Sequence, residues 1–261
     1  MKRSLALAAT ALFGGILLAP QAGQAQQTID SLGLTVTTTP AIVGDYVFRG
    51  ISQTRGRPAA QATLDVEHSS GIYIGAFVSN VSFAGTNARQ EVDLNAGYRF
   101  AIGDVKLDVG ATYYTYPGYT APTGGFELNF LELALRGSYE AGPFKFVGTA
   151  AYSPNFQVES GAAFYVEGGF DLTLDFGFTL SPRIGYQTIE RNIVPRAGSR
   201  DGYFGTPDYG YLSLTVSREI FEGFIGSLTG VYNTMAGTRA DCFGGQKVCD
   251  NRFFLSISRP F

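Results

Sequence analysis

The strongest constraint on this chain is a recurring segment of about ten residues in which apolar and polar side chains alternate between Gly, Pro, Asp or Ser clusters. In residues 91–100, Val92, Leu94, Ala96, Tyr98 and Phe100 alternate with Glu91, Asp93, Asn95, Gly97 and Arg99. A period of two puts each set on one face of a β-strand, whereas a helical period would scatter these charges around the whole circumference. Residues 104–114 repeat the arrangement, with Val105, Leu107, Val109, Ala111 and Tyr113 set against Lys106, Asp108, Gly110 and Thr112. It recurs at 61–68, 144–153, 164–174 and 178–187.

With the weaker segments added, the pattern predicts twelve strands, centred near Val47, Leu64, Ala76, Leu94, Val109, Leu133, Gly148, Gly168, Leu180, Leu214, Leu228 and Leu255. Connections after odd-numbered strands are long: 50–58, 82–89, 117–125, 154–161, 188–207 and 235–251. Those after even-numbered strands are tight turns around Ser70, Gly103, Gly142, Asp175 and Glu222. Such parity with an even strand number is the pattern of an all-β, transmembrane antiparallel up-and-down barrel, with turns on the periplasmic rim and loops outside. Aromatics gather at the strand ends, as Tyr98, Phe100, Phe144, Phe146, Phe176 and Phe178 on one side and Tyr46, Phe48, Tyr113, Tyr152 and Tyr186 on the other. These read as two interfacial girdles. A soluble sandwich or lipocalin-like barrel would also alternate, with its apolar face inward, but accounts for neither the loop parity nor the aromatic bands.

The ends support a membrane destination. Lys2 and Arg3 precede an uncharged stretch over 5–19, a break at Pro20, and small residues at Gly23 and Ala25. Residues 1–25 therefore read as a secretory signal peptide, too short in its apolar part for a spanning anchor, leaving one barrel domain over 26–261. At the other end Phe253, Leu255 and Ile257 alternate into Phe261, similar to the terminal-strand signal read by the barrel assembly machinery. The expected location is the outer membrane of a Gram-negative bacterium, both termini periplasmic, with membrane lipid, lipopolysaccharide and the assembly machinery as partners.

Composition removes other classes. With 19 basic and 22 acidic residues and no run of like charge, nucleic-acid binding is not expected. One His and two Cys give too few soft ligands for a zinc, haem or iron–sulfur site, so no metal or other cofactor is expected.

The run Asp45, Tyr46, Val47, Phe48, Arg49, Gly50, Ile51, Ser52, Gln53, Thr54 resembles the N-terminal signature of the TorF-like family of porins of proteobacterial outer membranes. The resemblance continues through Pro58, Asp65, Gly71, Tyr73, Ser79, Asn80, Val81, Glu91, Asp93, Gly97 and Tyr98, about a third of the chain. Ala60 and Ala62 stand where a nearby Gly is expected. The resemblance implies a barrel and a location more firmly than a solute, and carries over no catalytic residue.

An outer-membrane lipid hydrolase would need a Ser, His and acid constellation at the outer leaflet. The single His68 falls on the periplasmic rim beside Ser69, Ser70 and Gly71, so an enzyme is not expected. A channel for small hydrophilic solutes or ions fits the inward faces better. Twelve strands about 4.8 Å apart and tilted about 40° give a backbone diameter of roughly 24 Å, which side chains reduce to a lumen of around 10 Å. The expected pore lining is Asp45, Asp65, Glu67, Glu91, Asp93, Asp108, Glu132, Glu167 and Asp171 against Arg49, Arg99, Lys106, Arg136, Lys145 and Arg183. This excess of acids predicts weak cation preference. The alternative is a structural barrel whose charges pair across strands and plug it. Cys242 and Cys249 are expected to form a disulfide in an oxidising compartment. Arg191, Arg196 and Arg200 in the fifth long loop are expected to meet lipopolysaccharide phosphates at the surface, the alternative being a loop folded inward as a constriction.

Overall fold

A computed structural model describes residues 27–123, 125–190, 208–237, 242 and 247–261. The expected signal peptide, and Arg191, Arg196 and Arg200, lie outside the described residues. The strands are β1 (Gln27–Ile29), β2 (Leu34–Val43), β3 (Val47–Phe48), β4 (Ile51–Ser52), β5 (Ala59–His68), β6 (Ile72–Asn80), β7 (Gln90–Ile102) and β8 (Val105–Thr115). They continue as β9 (Phe130–Ala141), β10 (Phe144–Ser153), β11 (Ala163–Thr173), β12 (Phe178–Ile189), β13 (Tyr209–Phe221), β14 (Phe224–Asn233) and β15 (Arg252–Ser258). Among the described residues no helix is long and apolar enough to cross a membrane.

Strands β2 and β5 to β15 form a closed antiparallel barrel of twelve strands, each paired with its sequence neighbours and the ring completed by β2 against β15. Closure matters because an open sheet edge in hydrocarbon would leave backbone groups without hydrogen-bond partners. The seam is short, with β15 meeting β2 only from Ala41 to Val43. Thr38 and Phe261 then exchange backbone hydrogen bonds of 3.0 and 2.8 Å, and β1 pairs with the remaining edge at Leu34 to Val36. Both ends of the described chain thus lie at the short-turn end, where Leu34 stands opposite His68.

The turns explain the parity. Residues 69–71, 103–104, 142–143, 174–177 and 222–223 join strands at one end, while every connection at the other end is longer. Gly103 takes φ +59° in a two-residue turn, a left-handed conformation open to glycine without a Cβ clash. On the outer face of the barrel, Ile42, Ile74, Leu94, Leu133, Val166, Ile184, Leu212 and Leu255 are all exposed. A continuous apolar belt of this kind is not a water-facing surface; it is the lipid-facing band of an outer-membrane barrel. Tyr98, Phe146, Phe176 and Phe178 flank it at one end, and Tyr113, Tyr152 and Tyr186 at the other.

One expected strand is misplaced. Val47 belongs to a two-stranded hairpin, β3–β4, inside the first long connection, and the first barrel strand is β2. In β2, Thr38 and Pro40 stand on the outward face between Val36 and Ile42 and weaken the alternation that marks the other strands. Tyr46 and Phe48 consequently leave the outer girdle, and Tyr46 is buried.

Candidate functional site

The site is the barrel interior, and its central feature is the first long loop, residues 44–58, which folds inward. Its hairpin closes through Arg49 and Gly50, both in the left-handed region at φ +47° and +79°. The Gln53 N–H donates to the Tyr46 carbonyl at 2.7 Å. The Asp45 carboxylate fixes the base, accepting from Ser52 Oγ at 2.5 Å, Thr54 Oγ1 at 2.8 Å and Arg252 Nη1 of β15 at 2.5 Å.

From this base the loop reaches across to distant walls. Arg49 Nη2 donates to Glu132 Oε1 of β9 at 2.6 Å and Nη1 to Gln187 Oε1 of β12 at 2.9 Å. The guanidinium lies 3.8 Å from the ring centroid of Tyr165 of β11. Tyr46 donates to Glu91 of β7 at 2.7 Å and packs edge-on against Phe77 of β6. Phe48 meets Tyr114 of β8, and the Gly50 carbonyl accepts from Asn233 of β14 at 3.0 Å. A Cβ on Gly50 would come within 2.8 Å of Tyr211 of β13, so this approach needs glycine. Asp45 and Arg49, expected on a wall, are instead the root and tip of a segment spanning the interior.

Around the loop the mouth is packed with apolar side chains, among them Val43, Tyr46, Val81, Leu128, Phe130, Phe156 and Val158. A disulfide joins Cys242 to Cys249, and with Tyr209, Met235 and Val248 it packs against Ile51 of β4. Arg252 also donates to the carbonyls of Lys247 and Val248 beside this disulfide, at 3.0 and 2.5 Å.

Nearer the short-turn end the expected lining residues gather into ion pairs between strands. Arg99 forks onto Asp65 at 2.9 and 2.8 Å, donates to Glu67 at 2.6 Å and Asp108 at 3.4 Å, and lies over the Tyr73 ring at 3.8 Å. Arg136 lies 3.6 Å from Asp108, which also accepts from Tyr73 at 2.9 Å. Gly97 and Gly110 clear the space for Tyr73, whose hydroxyl lies 2.6 and 2.5 Å from where their Cβ atoms would be. Arg183 pairs with Asp171, and Lys145 stands opposite Asp171 and Glu140 in the strand register. These contacts run along the wall rather than across the barrel. Lys106 lies farther out and meets Glu140 at the rim at 2.9 Å.

Three carboxylates differ in kind. Glu91 accepts from Tyr46, and Glu167 accepts from Tyr165 at 3.0 Å and from Tyr211, so hydroxyls rather than cations hold them. Asp93 is buried with Oδ1 lacking a hydrogen-bond donor among the described residues. Sequence alternation did not single out Gln187, Tyr165, Tyr211, Asn233 or Arg252. Each sits near the long-loop end of its strand, where a tyrosine or amide reads as a rim residue.

His68 is exposed on the short-turn rim, bonded within its own turn by Ser70 at 2.8 Å. Among the described residues no group of His, Cys, Asp and Glu has the arrangement of a metal site.

A family model described as "Bacterial protein of unknown function (Gcw_chp)" matches residues 27–229. No curated protein matches the chain. Among solved structures, the KdgM porin in complex with disordered oligogalacturonate matches with a TM-score of 0.52 and 9% identity, over 87% of this chain and 98% of that one. A NanC porin structure matches with a TM-score of 0.53 and 8% identity, over 85% and 97%. At these identities the likeness is one of fold.

Proposed function

Because the chain belongs to the Gcw_chp family of bacterial proteins of unknown function, we propose its role from the barrel itself: an outer-membrane diffusion channel for small hydrophilic solutes or ions, narrowed by its own first loop. The observation that carries this reading is the contrast between an apolar outer belt and an interior of Asp, Glu, Arg, Gln, Asn and Gly, crossed by one hairpin. A barrel that served only as a wall could fill its centre with apolar side chains, and charges paired along the wall are the lining a polar route beside the loop would need. The porin folds above support the same reading, as does the resemblance of residues 45–54 to the TorF-like porins. No step of this function needs a catalytic group.

The proposal includes the placement. A leader over 1–25 directs export, the strand ending at Phe261 is read by the barrel assembly machinery, both termini face the periplasm, and the long loops face outward.

A second reading has its own support. The aromatic and aliphatic cluster at the mouth, with Phe130 stacked on Tyr114 at 4.2 Å, favours a barrel closed by its loops and used as structure or as a surface for interactions. Planar-bilayer recording separates the two. The parent should show small single-channel steps, and a variant with residues 46–53 replaced by a short Gly/Ser turn should show steps several times larger. Silence from both proteins, each folded by heat-modified gel mobility, would leave the closed barrel.

A further inference from the structure

Outside the barrel interior, between the first and second long loops, lies a cavity of about 590 Å³ walled by residues 54–58 and 80–89. Three of its lining residues are Arg55, Arg57 and Arg89, and among the described residues no Asp or Glu lines it. The inward arginines are built differently. Arg49, Arg99, Arg136, Arg183 and Arg252 each face a carboxylate. Arg57 donates to neutral oxygens only, Ser82 Oγ at 2.6 Å and the Thr54 carbonyl at 3.3 Å. Arg89 likewise donates to the carbonyls of Ala88 at 2.8 Å and Thr86 at 3.4 Å. Arg55 makes no hydrogen bond or ion pair among the described residues. Three guanidinium groups around one concave space, without a counter-charge among the described residues, create a positive potential that an anion would relieve.

The walls are held before any ligand arrives. The Ser82 N–H donates to the Gln53 carbonyl at 2.8 Å, the Val81 N–H to the Arg89 carbonyl at 2.9 Å, and Asn80 Nδ2 to the Pro58 carbonyl at 3.2 Å. Fixed walls lower the ordering cost of binding. Height on the barrel narrows the source of the anion. Pro58, Asn80 and Arg89 stand at the long-loop ends of β5, β6 and β7, a few residues beyond the exposed Val78 and the exposed Ile42 that pairs with Ala60 in the lipid-facing belt. Lipid phosphates lie at that level, and the guanidinium fork suits a phosphate.

We propose that this cavity is a binding site for a phosphorylated sugar, the group that lipopolysaccharide presents at the outer leaflet. A soluble sugar phosphate carries the same chemistry, and the position above the belt favours the lipid-borne form. The proposal rests on the lipid-facing belt and not on conduction, so a silent bilayer recording leaves it standing.

The test uses the purified, folded protein in detergent micelles, titrated by calorimetry with lipopolysaccharide, enzymatically dephosphorylated lipopolysaccharide and glucose 1-phosphate. Saturable binding of lipopolysaccharide is expected, weakened by dephosphorylation and by salt. The R55Q/R57Q/R89Q triple variant should lose about tenfold or more in affinity, since charge-assisted bonds are the strong ones. The R55K/R57K/R89K variant should retain part of the binding, and R218Q, at the short-turn end, all of it. Heat-modified gel mobility checks that each barrel is folded. Equal binding by the parent and the glutamine variant, or equal binding of phosphorylated and dephosphorylated lipid, would overturn the site. Arginine-dependent binding of glucose 1-phosphate with none of lipopolysaccharide would overturn the lipid source and leave a soluble phosphate as the ligand.

Discussion

At the scale of single residues, the first loop depends on Arg49. Its guanidinium is buried against Glu132 at 2.6 Å, and removing one member of such a pair leaves the other without its counter-charge. Glu132→Gln should therefore destabilise the barrel by about 3–5 kcal/mol, whereas R49M/E132Q, which removes both charges, should recover much of the loss. Denaturant titration of the single and double variants measures this, and equal stability for both would show that the pair is not the tie described. The same residues show what the sequence discloses. Period-two alternation depends only on the local backbone, so it marks Glu132, Asp65 and Arg99 as facing one way without knowledge of their neighbours. Which charge meets which depends on register across strands: Arg99 reaches Asp65 over the intervening β6, and Arg49 reaches Glu132 from a loop. That information is not local, and it decides the pairing.

Among elements, β3–β4 was the least legible. Tyr46 and Phe48 alternate with Asp45 and Arg49 much as in a barrel strand, and only the pairing of β2 with both β5 and β15 shows that the wall is complete without the hairpin. The long and short connections were legible because turn chemistry is local, as at Gly103, Gly142 and Gly223. The contact between the last long loop and the first was not, since Cys242, Cys249 and Val248 pack on Ile51 across most of the chain. From that contact we predict that the disulfide braces the inward hairpin. Closing so short a loop contributes on the order of 2.5 kcal/mol by chain entropy, so C242A/C249A should lower the unfolding midpoint modestly. Its larger effect should be on current, with more frequent flicker between conductance levels as Ile51 loses its backing. Peptide mass spectrometry confirms the cross-link beforehand, and identical traces from the reduced, oxidised and alanine proteins would limit the disulfide to its own loop.

For the whole molecule, orientation and permeation follow from the same two-sided design. Long connections at one end and turns with both described termini at the other predict that Cys placed at Thr120 labels in intact cells and Cys placed at His68 does not, in a background without Cys242 and Cys249. Label at position 68 in unbroken cells would invert the barrel. Permeation is set by which interior charges are offset. Asp65, Glu67 and Asp108 surround Arg99, Asp171 meets Arg183, Glu132 meets Arg49, and Asp45 meets Arg252, a base absent from the expected lining, so six of the nine expected acids are offset by pairing. Glu91 and Glu167 are instead held by tyrosine hydroxyls, and Asp93 lies on the same face as Glu91 two residues along β7. Any negative charge these three carboxylates carry has no cation of the described residues beside it, and such a charge favours cations by Coulomb attraction and is screened as salt rises. In planar bilayers under a KCl gradient the parent should show a modest cation preference that fades at high salt. E91Q/D93N should move the reversal potential toward anions while keeping the heat-modified gel mobility of the parent. D65N should move it less, because that charge is already offset by Arg99. Anion preference in the parent would mean that the ions pass the arginines and not the tyrosine-held carboxylates, placing the route on the other side of the hairpin.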